Sequence, residues 1–224
     1  MTFSIIARCA QTGQFGMAVA SSSPAVAARC AYARAGVGAA ASQNVTDPRL
    51  GPAALDQLAA GLDAAAALDA VIGAAEYVEY RQLLIVDRDG NTAIHSGGKS
   101  LGIHTEHAAR DVAAAGNLLA NDTIPRAMVE AFLSSEGHLG DRLITAMRGA
   151  IAAGGEAGPV HSAGMLLVDG QDWPLAELRC DWSEDCPIEN ISAAWDVYRP
   201  QMDDYVTRAL DPSAAPSYGV PGDE

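Results

Sequence analysis

Near its start the chain reads Thr2-Phe3-Ser4-Ile5-Ile6-Ala7-Arg8, and this stretch decides the expected fold. Successive residues of a strand point to opposite faces of a sheet. Phe3, Ile5 and Ala7 therefore share one face, and Ile6 lies on the other. Apolar side chains on both faces are typical of a central strand that is covered on both sides. Because chain ends usually fray, a buried first strand would hold its first residues in a fixed position.

The residues after this strand predict a hairpin. Gln11-Thr12-Gly13-Gln14 is a turn signal, and residues 15–22 are typical of a second strand. With the turn at its centre, the hairpin pairs positions whose numbers sum to about 25. This register sets Thr2 opposite Ser23, with an uncertainty of about one residue. The run Ser21-Ser22-Ser23 is therefore expected beside the start of the chain.

The rest of the pattern predicts strands joined by hairpins and helices arranged in pairs. We expect strands over residues 36–43, 82–87, 91–95, 110–118, 162–168 and 175–180. We expect helices over residues 51–61, 63–75, 123–135, 139–153 and 188–209, with Asp63 and Asp122 as N-caps, and residues 25–35 are expected to be irregular. We expect one domain over residues 1–210 and a loose tail over residues 211–224. The element order favours an α+β fold with two mainly antiparallel sheets stacked between outer helices.

Composition restricts the function. The chain has 224 residues, a formal net charge of -14, 49% hydrophobic residues and 19% charged residues, which is typical of a globular protein. Such an acidic surface argues against nucleic acid and anionic membranes as partners. Lys99 is the single lysine, so any other catalytic cation must be an arginine, which holds charge but cannot act as a base.

Neither a metal nor a cofactor is expected. Cys9, Cys30, Cys180 and Cys186 form no CxxC pair, which argues against structural zinc. The segment from His104 to His107 brings two histidines and a glutamate together in a loop-like context without a visible third ligand. His161 and the acidic segment over residues 181–185 also have ordinary structural interpretations. With neither a signal peptide nor a membrane span in the sequence, we expect a cytoplasmic protein with reduced thiols.

Thr2 is the first candidate for chemistry. Initiator methionine is normally removed before a small residue, and removal would leave a threonine that carries both a hydroxyl and a free α-amine. These two groups form a nucleophile and its own base. The alternative is a Met-Thr start without any chemistry.

Several short motifs resemble, in order and spacing, a bacterial family catalogued as domain of unknown function 1028. They are the opening strand, the turn at Thr12-Gly13, the strand from Gly16 to Ser21, the run from Ala33 to Ala39, Arg81-Gln82-Leu83 and Gly116-Asn117-Leu118-Leu119. The resemblance covers roughly residues 2–170. That family is placed with the N-terminal-nucleophile (Ntn) hydrolases, which implies a four-layer αββα sandwich and hydrolysis of an amide-type bond in a small molecule by Thr2.

Supporting residues follow from this implied activity. Asn117, at a strand end, is the candidate oxyanion donor, although an asparagine there also suits a turn. Arg34 is the candidate cation, with a surface ion pair as the alternative. Arg8 is excluded, because six residues of strand span about 20 Å. The candidates for substrate binding are Ser21, Ser22, Ser23 and Gln43.

A second class of function stays open at this point. The chain could be a non-catalytic relative that binds a small metabolite or serves as an oligomeric structural protein. Trp195, Val197, Tyr198 and Met202 give the final helix an apolar face, which suits either a homo-oligomer or packing on its own sheet.

Overall fold

The structure is a computed structural model that describes residues 1–220 and 222. Its strands are β1 (Thr2–Arg8), β2 (Phe15–Ser21), β3 (Ala31–Arg34), β4 (Gly38–Asn44), β5 (Arg81–Asp87), β6 (Thr92–Ser96), β7 (Thr105–Ala109), β8 (Val112–Asn117), β9 (Ser162–Val168) and β10 (Ala176–Cys180). Its helices are α1 (Ala27–Cys30), α2 (Leu50–Ala59), α3 (Ala64–Ala74), α4 (Ile124–Ser134), α5 (Leu139–Ala152), α6 (Pro187–Tyr198) and α7 (Met202–Leu210). Short 3-10 turns cover Val78–Tyr80 and Arg199–Gln201.

Two antiparallel sheets form the centre of the molecule. The larger sheet has the strand order β10-β9-β2-β1-β8-β7, and the smaller has the order β3-β4-β5-β6. Neighbouring strands run antiparallel throughout both sheets, as the hairpin signals predict. Strand β1 lies inside the larger sheet between β2 and β8.

Buried side chains form three clusters, which show how the helices cover the sheets. One cluster joins the larger sheet to helices α4, α5 and α6, and includes Phe3 and Trp195. A second lies between the two sheets and includes Ile6 and Met17. A third joins the smaller sheet to α2 and α3. The prediction that β1 is buried on both faces is therefore confirmed.

The hairpin register predicted from sequence is wrong by two residues. Ser4 pairs with Val19, and Arg8 pairs with Phe15. Strand β1 ends at Arg8, and the loop closes with Cys9 N–H donating to Gln14 O at 2.8 Å. Because the shift is even, each side chain keeps its expected face of the sheet.

Other sequence expectations also need correction. Residues 25–35 are not irregular, since they form α1 and β3, and residues 105–109 form β7 rather than a loop. The final helix is interrupted at Arg199–Gln201, where Pro200 cannot donate a backbone hydrogen bond. The cap at Asp63 is confirmed, because its side chain accepts from Ala66 N. Asp122 does not cap α4, whose N-cap is Thr123.

The tail predicted over residues 211–224 includes Pro221, Asp223 and Glu224, which lie outside the described residues. In the described part, Arg208 donates to Pro216 O at 2.9 Å, and its guanidinium lies over the ring of Tyr218. The domain boundary at residue 210 stays a prediction. In the part of the chain that the structure describes, no helix has both the length and the apolar character of a membrane span.

Close approach within the smaller sheet depends on Gly38. A Cβ at this position would lie 2.3 Å from Val86 O and 2.7 Å from Leu58 Cδ1. We expect Gly38→Ala to lower the free energy of unfolding by about 3 kcal/mol, because the backbone oxygen cannot move aside. Gly73→Ala is the matched control, since no described atom lies within 4 Å of its Cβ position.

In urea unfolding, Gly73→Ala should be neutral or stabilising by up to about 1 kcal/mol, since alanine favours a helix. Equal stability of the two variants would contradict the close contact at Gly38.

Candidate functional site

Thr2 begins β1 and lies on the face of the larger sheet that points toward the smaller one. Its Cα partner on β8 is Asn117, and its side chain shares this face with Ser4. Thr2 is only 6% exposed. Its hydroxyl donates to Met1 O at 2.5 Å and lies 3.3 Å from Ser21 Oγ on β2. The first side chain of β1 is thus held inside the protein.

A chain of hydroxyls leads from Thr2 to an arginine. Ser21 Oγ lies 2.8 Å from Ser23 Oγ and also donates to Met1 O. Ser23 Oγ accepts from Arg29 Nη2 at 2.5 Å. Arg29 lies on α1 and is fixed by bonds to Pro24 O and Ala25 O. The cationic side chain bonded to these hydroxyls is therefore Arg29, which sequence reasoning missed because it treated residues 25–35 as irregular.

Glu156 lies on another side of the same site. The residue is 5% exposed, and its Oε2 accepts the backbone N–H of Ser22 at 3.0 Å. Among the described residues, its Oε1 is buried without a hydrogen-bond partner. Burial raises the pKa of Glu156 to about 7, although the Met1 ammonium, the hydrogen bonds from Ser22 and His161 act in the opposite direction. The sequence offers little sign of this residue, since it follows a Gly-Gly turn far along the chain.

Buried amides join the two sheets near Thr2. Gln43 Oε1 accepts from Ser4 Oγ at 2.6 Å, and Gln43 Nε2 donates to Gln82 Oε1 and Ala115 O at 3.1 Å each. The side chain of Gln43 thus has partners for its oxygen and for both N–H groups. Gln43, expected from sequence to bind substrate, instead connects the sheets.

Asn117 belongs to the same network. Its Nδ2 donates to Gln82 Oε1 at 3.0 Å, and Gln82 Nε2 donates to Gly116 O and Ser96 Oγ at 3.1 Å each. Asn117 therefore lies beside Thr2, with one of its two amide N–H groups used by Gln82.

The structure does not bring Arg34 to Thr2. Arg34 pairs with Gly38 of β4 in the smaller sheet. Gln43, the residue of β4 that reaches the network near Thr2, lies five residues beyond Gly38, which is about 16 Å along the strand. The guanidinium of Arg34 forms an exposed ion pair with Asp56 at 2.8 Å. Lys99 is also exposed, with Nζ 3.3 Å from Glu79 Oε1.

The histidines considered as metal ligands or site residues lie on or beside strands. His104 lies just before the exposed strand β7, and His107 lies on it. His161 stacks on Trp182 with ring centroids 4.3 Å apart, and its backbone N–H donates to Ser21 O at 2.9 Å. Within residues 1–220 and 222, no group of three or more His, Cys, Asp or Glu side chains could hold a metal ion.

Two cavities bear on ligand binding. A cavity of about 600 Å³ lies between α1, β3 and the loop from β9 to β10, beside Arg34 and Trp173. A smaller one of about 260 Å³ is lined by Glu156, Gly158 and Val160. We assign the candidate site to the smaller cavity, because Gly158 adjoins Met1 and Glu156 accepts from the backbone of Ser22, and the larger cavity contains none of the residues around Thr2.

Comparison with known proteins identifies the family. Residues 2–191 match a family model described as a family of unknown function, DUF1028. The chain belongs to this family. The crystal structure of a protein from Silicibacter pomeroyi, assigned to the same family, is 30% identical and has a TM-score of 0.82, with 88% of each chain covered.

A distant structural likeness joins this chain to Anbu, an ancestral β-subunit from Yersinia bercovieri, at 10% identity and a TM-score of 0.41. That likeness covers 90% of this chain and 96% of the other. No curated protein matches the chain.

The buried carboxyl of Glu156 predicts a dependence of stability on pH. Because its folded pKa is about 7 and its ordinary value is 4.5, the folded protein holds a proton that the unfolded chain releases between these values. Stability is therefore lost as pH rises through this window. We expect Glu156→Gln to be more stable than the native protein at pH 8 by about 1–3 kcal/mol, and to lose this advantage at pH 5.

Denaturant unfolding at the two pH values measures this difference. Glu130→Gln, which changes an exposed carboxyl on α4, should behave like the native protein at both values. An equal effect of Glu156→Gln at pH 5 and pH 8 would show that the Glu156 pKa is not raised.

Proposed function

We propose that this protein hydrolyses an amide-type bond in a small molecule, with Thr2 as the nucleophile once Met1 has been removed. The observation that carries this proposal is the position of Thr2 Oγ1, 2.5 Å from Met1 O and beside the Ser21 hydroxyl. A side-chain hydroxyl at the start of a buried strand is thereby held in one place. Catalysis of acyl transfer needs a nucleophile that is held in position.

The layers of the fold support the same proposal. The three core clusters lie in the order helices, larger sheet, smaller sheet, helices, as a four-layer αββα sandwich of the Ntn type requires. In that arrangement the nucleophile is the first residue of a central strand, which is the position of Thr2 in β1.

The proposed mechanism uses the two polar groups of Thr2. The free α-amine, with an ordinary pKa of about 7.7–8.0, accepts the hydroxyl proton as Oγ1 attacks the substrate carbonyl. The amine then gives this proton to the leaving group, and water cleaves the resulting ester. We propose the Ser21 hydroxyl as the donor to the developing oxyanion, because it already donates to Met1 O. Asn117 stays a candidate second donor.

Arg29 gives this site a fixed positive charge. Its guanidinium donates to Ser23 Oγ, which lies 2.8 Å from Ser21 Oγ. We propose that Arg29 orients both hydroxyls, the role for which the sequence suggested Arg34. Ser22 contributes through its backbone N–H, which positions Glu156.

Removal of the hydroxyl tests the nucleophile. Protein that begins at Thr2, as checked by intact mass, should be labelled by a β-lactone at Thr2, and Thr2→Ala should take up no label. Thr2→Ser should keep the label, because it keeps a hydroxyl beside the amine. Thr145→Ala, an exposed threonine on α5, is the control and should be labelled like the native protein. Label elsewhere, or Met1 retained in all molecules from the native host, would refute the proposal.

Two arginine variants test whether Arg29, suggested by the structure, or Arg34, suggested by the sequence, is the cation of the site. Arg29→Ala should slow labelling of Thr2 by about tenfold or more, since loss of an oriented donor at this kind of site costs about that much. Arg34→Ala removes only an exposed ion pair, and such pairs contribute little. The labelling rate constant for each variant is the measurement. A large effect of Arg34→Ala with none for Arg29→Ala would favour the sequence assignment.

An alternative function is binding of a small metabolite without catalysis. The cavity of about 600 Å³ favours it, because the lining combines apolar side chains with Arg34 and Arg179 and lies apart from Thr2. A structural role as a homo-oligomer is a further alternative for the same fold. An unlabelled Thr2 in protein that lacks Met1 would favour these alternatives.

A further inference from the structure

Met1 occupies the space in which an acyl group on Thr2 would lie. Its carbonyl carbon is bonded to the Thr2 amine, and its carbonyl oxygen accepts from both Thr2 Oγ1 and Ser21 Oγ. The methionine side chain ends against Gly158, where a Cβ would lie 3.0 Å from Met1 Cε. Because the hydroxyl and the amine of Thr2 are on neighbouring carbons, Met1 shows which groups would surround a bound acyl chain.

Glu156 lies on the same part of the site as Met1, because its Oε2 accepts from the Ser22 N–H while the neighbouring Ser21 donates to Met1 O. The carboxyl group is buried, and its Oε1 has no hydrogen-bond partner among the described residues. The positive charge of Met1 lies close enough to oppose the effect of burial on the pKa of Glu156. A buried carboxylate oxygen without a donor is unfavourable in an isolated protein. A ligand that brought a cationic N–H group to this point would satisfy it.

We propose that the acyl part of the substrate is an α-aminoacyl group, whose free ammonium is bound by Glu156 while Ser21 holds its carbonyl oxygen. This inference rests on the proposed function and names its substrate class. The side chain of the amino acid would end beside Gly158, as that of Met1 does, where a larger residue would leave too little space. Gly158 also lines the cavity of about 260 Å³.

The reaction balances without any further reagent. Thr2 Oγ1 forms an ester bond to the acyl carbon, the substrate C–N bond breaks, and the leaving amine receives the hydroxyl proton from the Thr2 amine. Water then adds to the ester carbon, and a free amino acid leaves. The net change is an aminoacyl amide plus water giving an amino acid plus an amine.

A pair of substrates that differ only in charge tests this assignment. The protein is released from a fusion partner so that Thr2 is its first residue, and is given L-methionine p-nitroanilide or its N-acetyl derivative. Release of p-nitroaniline measures kcat/KM. We expect the free amine to be preferred by about tenfold or more, because acetylation removes the charge that Glu156 binds. Equal or faster hydrolysis of the acetylated compound overturns the inference.

The Glu156→Gln variant assigns this preference to one residue. It should lose the preference, with kcat/KM falling for the free amine and staying the same for the acetylated substrate. The control is Glu130→Gln, which should keep the preference of the native protein. A preference that survives Glu156→Gln overturns the assignment. The thermal midpoint of each variant shows that it is folded.

A binding measurement separates this inference from the proposed function. The Thr2→Ala variant, prepared without Met1 so that the substituted residue is the first in the chain, is mixed with L-methioninamide or with N-acetyl-L-methioninamide, and the thermal midpoint is measured. A rise in the thermal midpoint with the free amine alone supports the inference. The proposed function would fail separately, if no amide is hydrolysed and Thr2 takes no β-lactone label. No rise with the free amine overturns the inference, even if Thr2 is labelled.

Discussion

The position of Thr2 depends on hydrogen bonds that buried glutamine side chains form between the two sheets. Gln43 and Gln82 reach from the smaller sheet and bond to each other, to Ser4 and to the backbone of β8. A buried amide that lost its partner would cost about 1–3 kcal/mol, so the sheets cannot slide past each other at this end without loss of stability. Because Ser4 is two residues from Thr2, the start of β1 is fixed by the same bonds.

Small side chains allow the two sheets to meet closely. Ala113 and Ala115 of β8 and Ala39 and Ala41 of β4 all belong to the cluster between the sheets. Against this apolar background, the polar residues at one end stand out as a separate zone. Thr2 lies within this zone. The Ser21 and Ser23 hydroxyls connect it to the positive charge of Arg29, and the backbone N–H of Ser22 bonds to the carboxyl of Glu156. The zone thus joins a fixed positive charge to a buried carboxyl group.

Much of the fold follows from local pattern. Alternation in β1 predicts its two buried faces, Asp-Gly predicts the hairpin of β5 and β6, and Asp63 predicts the start of α3. The register of the first hairpin was not predictable to the residue, since a Gly turn admits loops of several lengths. The alanine-rich stretch over residues 25–35 has too little contrast between apolar and polar positions to show α1 and β3.

The candidate site was predictable only where it lies on strands. Thr2, Ser21 and Asn117 share one face of neighbouring strands, and strand parity gives that face although the predicted register set Thr2 opposite Ser23. Arg29 reaches the site from a short helix, and Glu156 meets Ser22 across 134 positions of sequence. Contacts of that separation depend on how the whole chain folds, and no local pattern encodes them.

The burial of the chain start has a practical consequence for handling this protein. An affinity tag or fluorescent label at the amino end would have to leave through the space between Ser21 and Gly158 that Met1 fills. Such an extension would compete with the contacts of Thr2 or displace the strand. Toward the opposite end, residues 211–220 lie mostly on the surface. Tags and surface-coupling groups are therefore best attached at the carboxyl end.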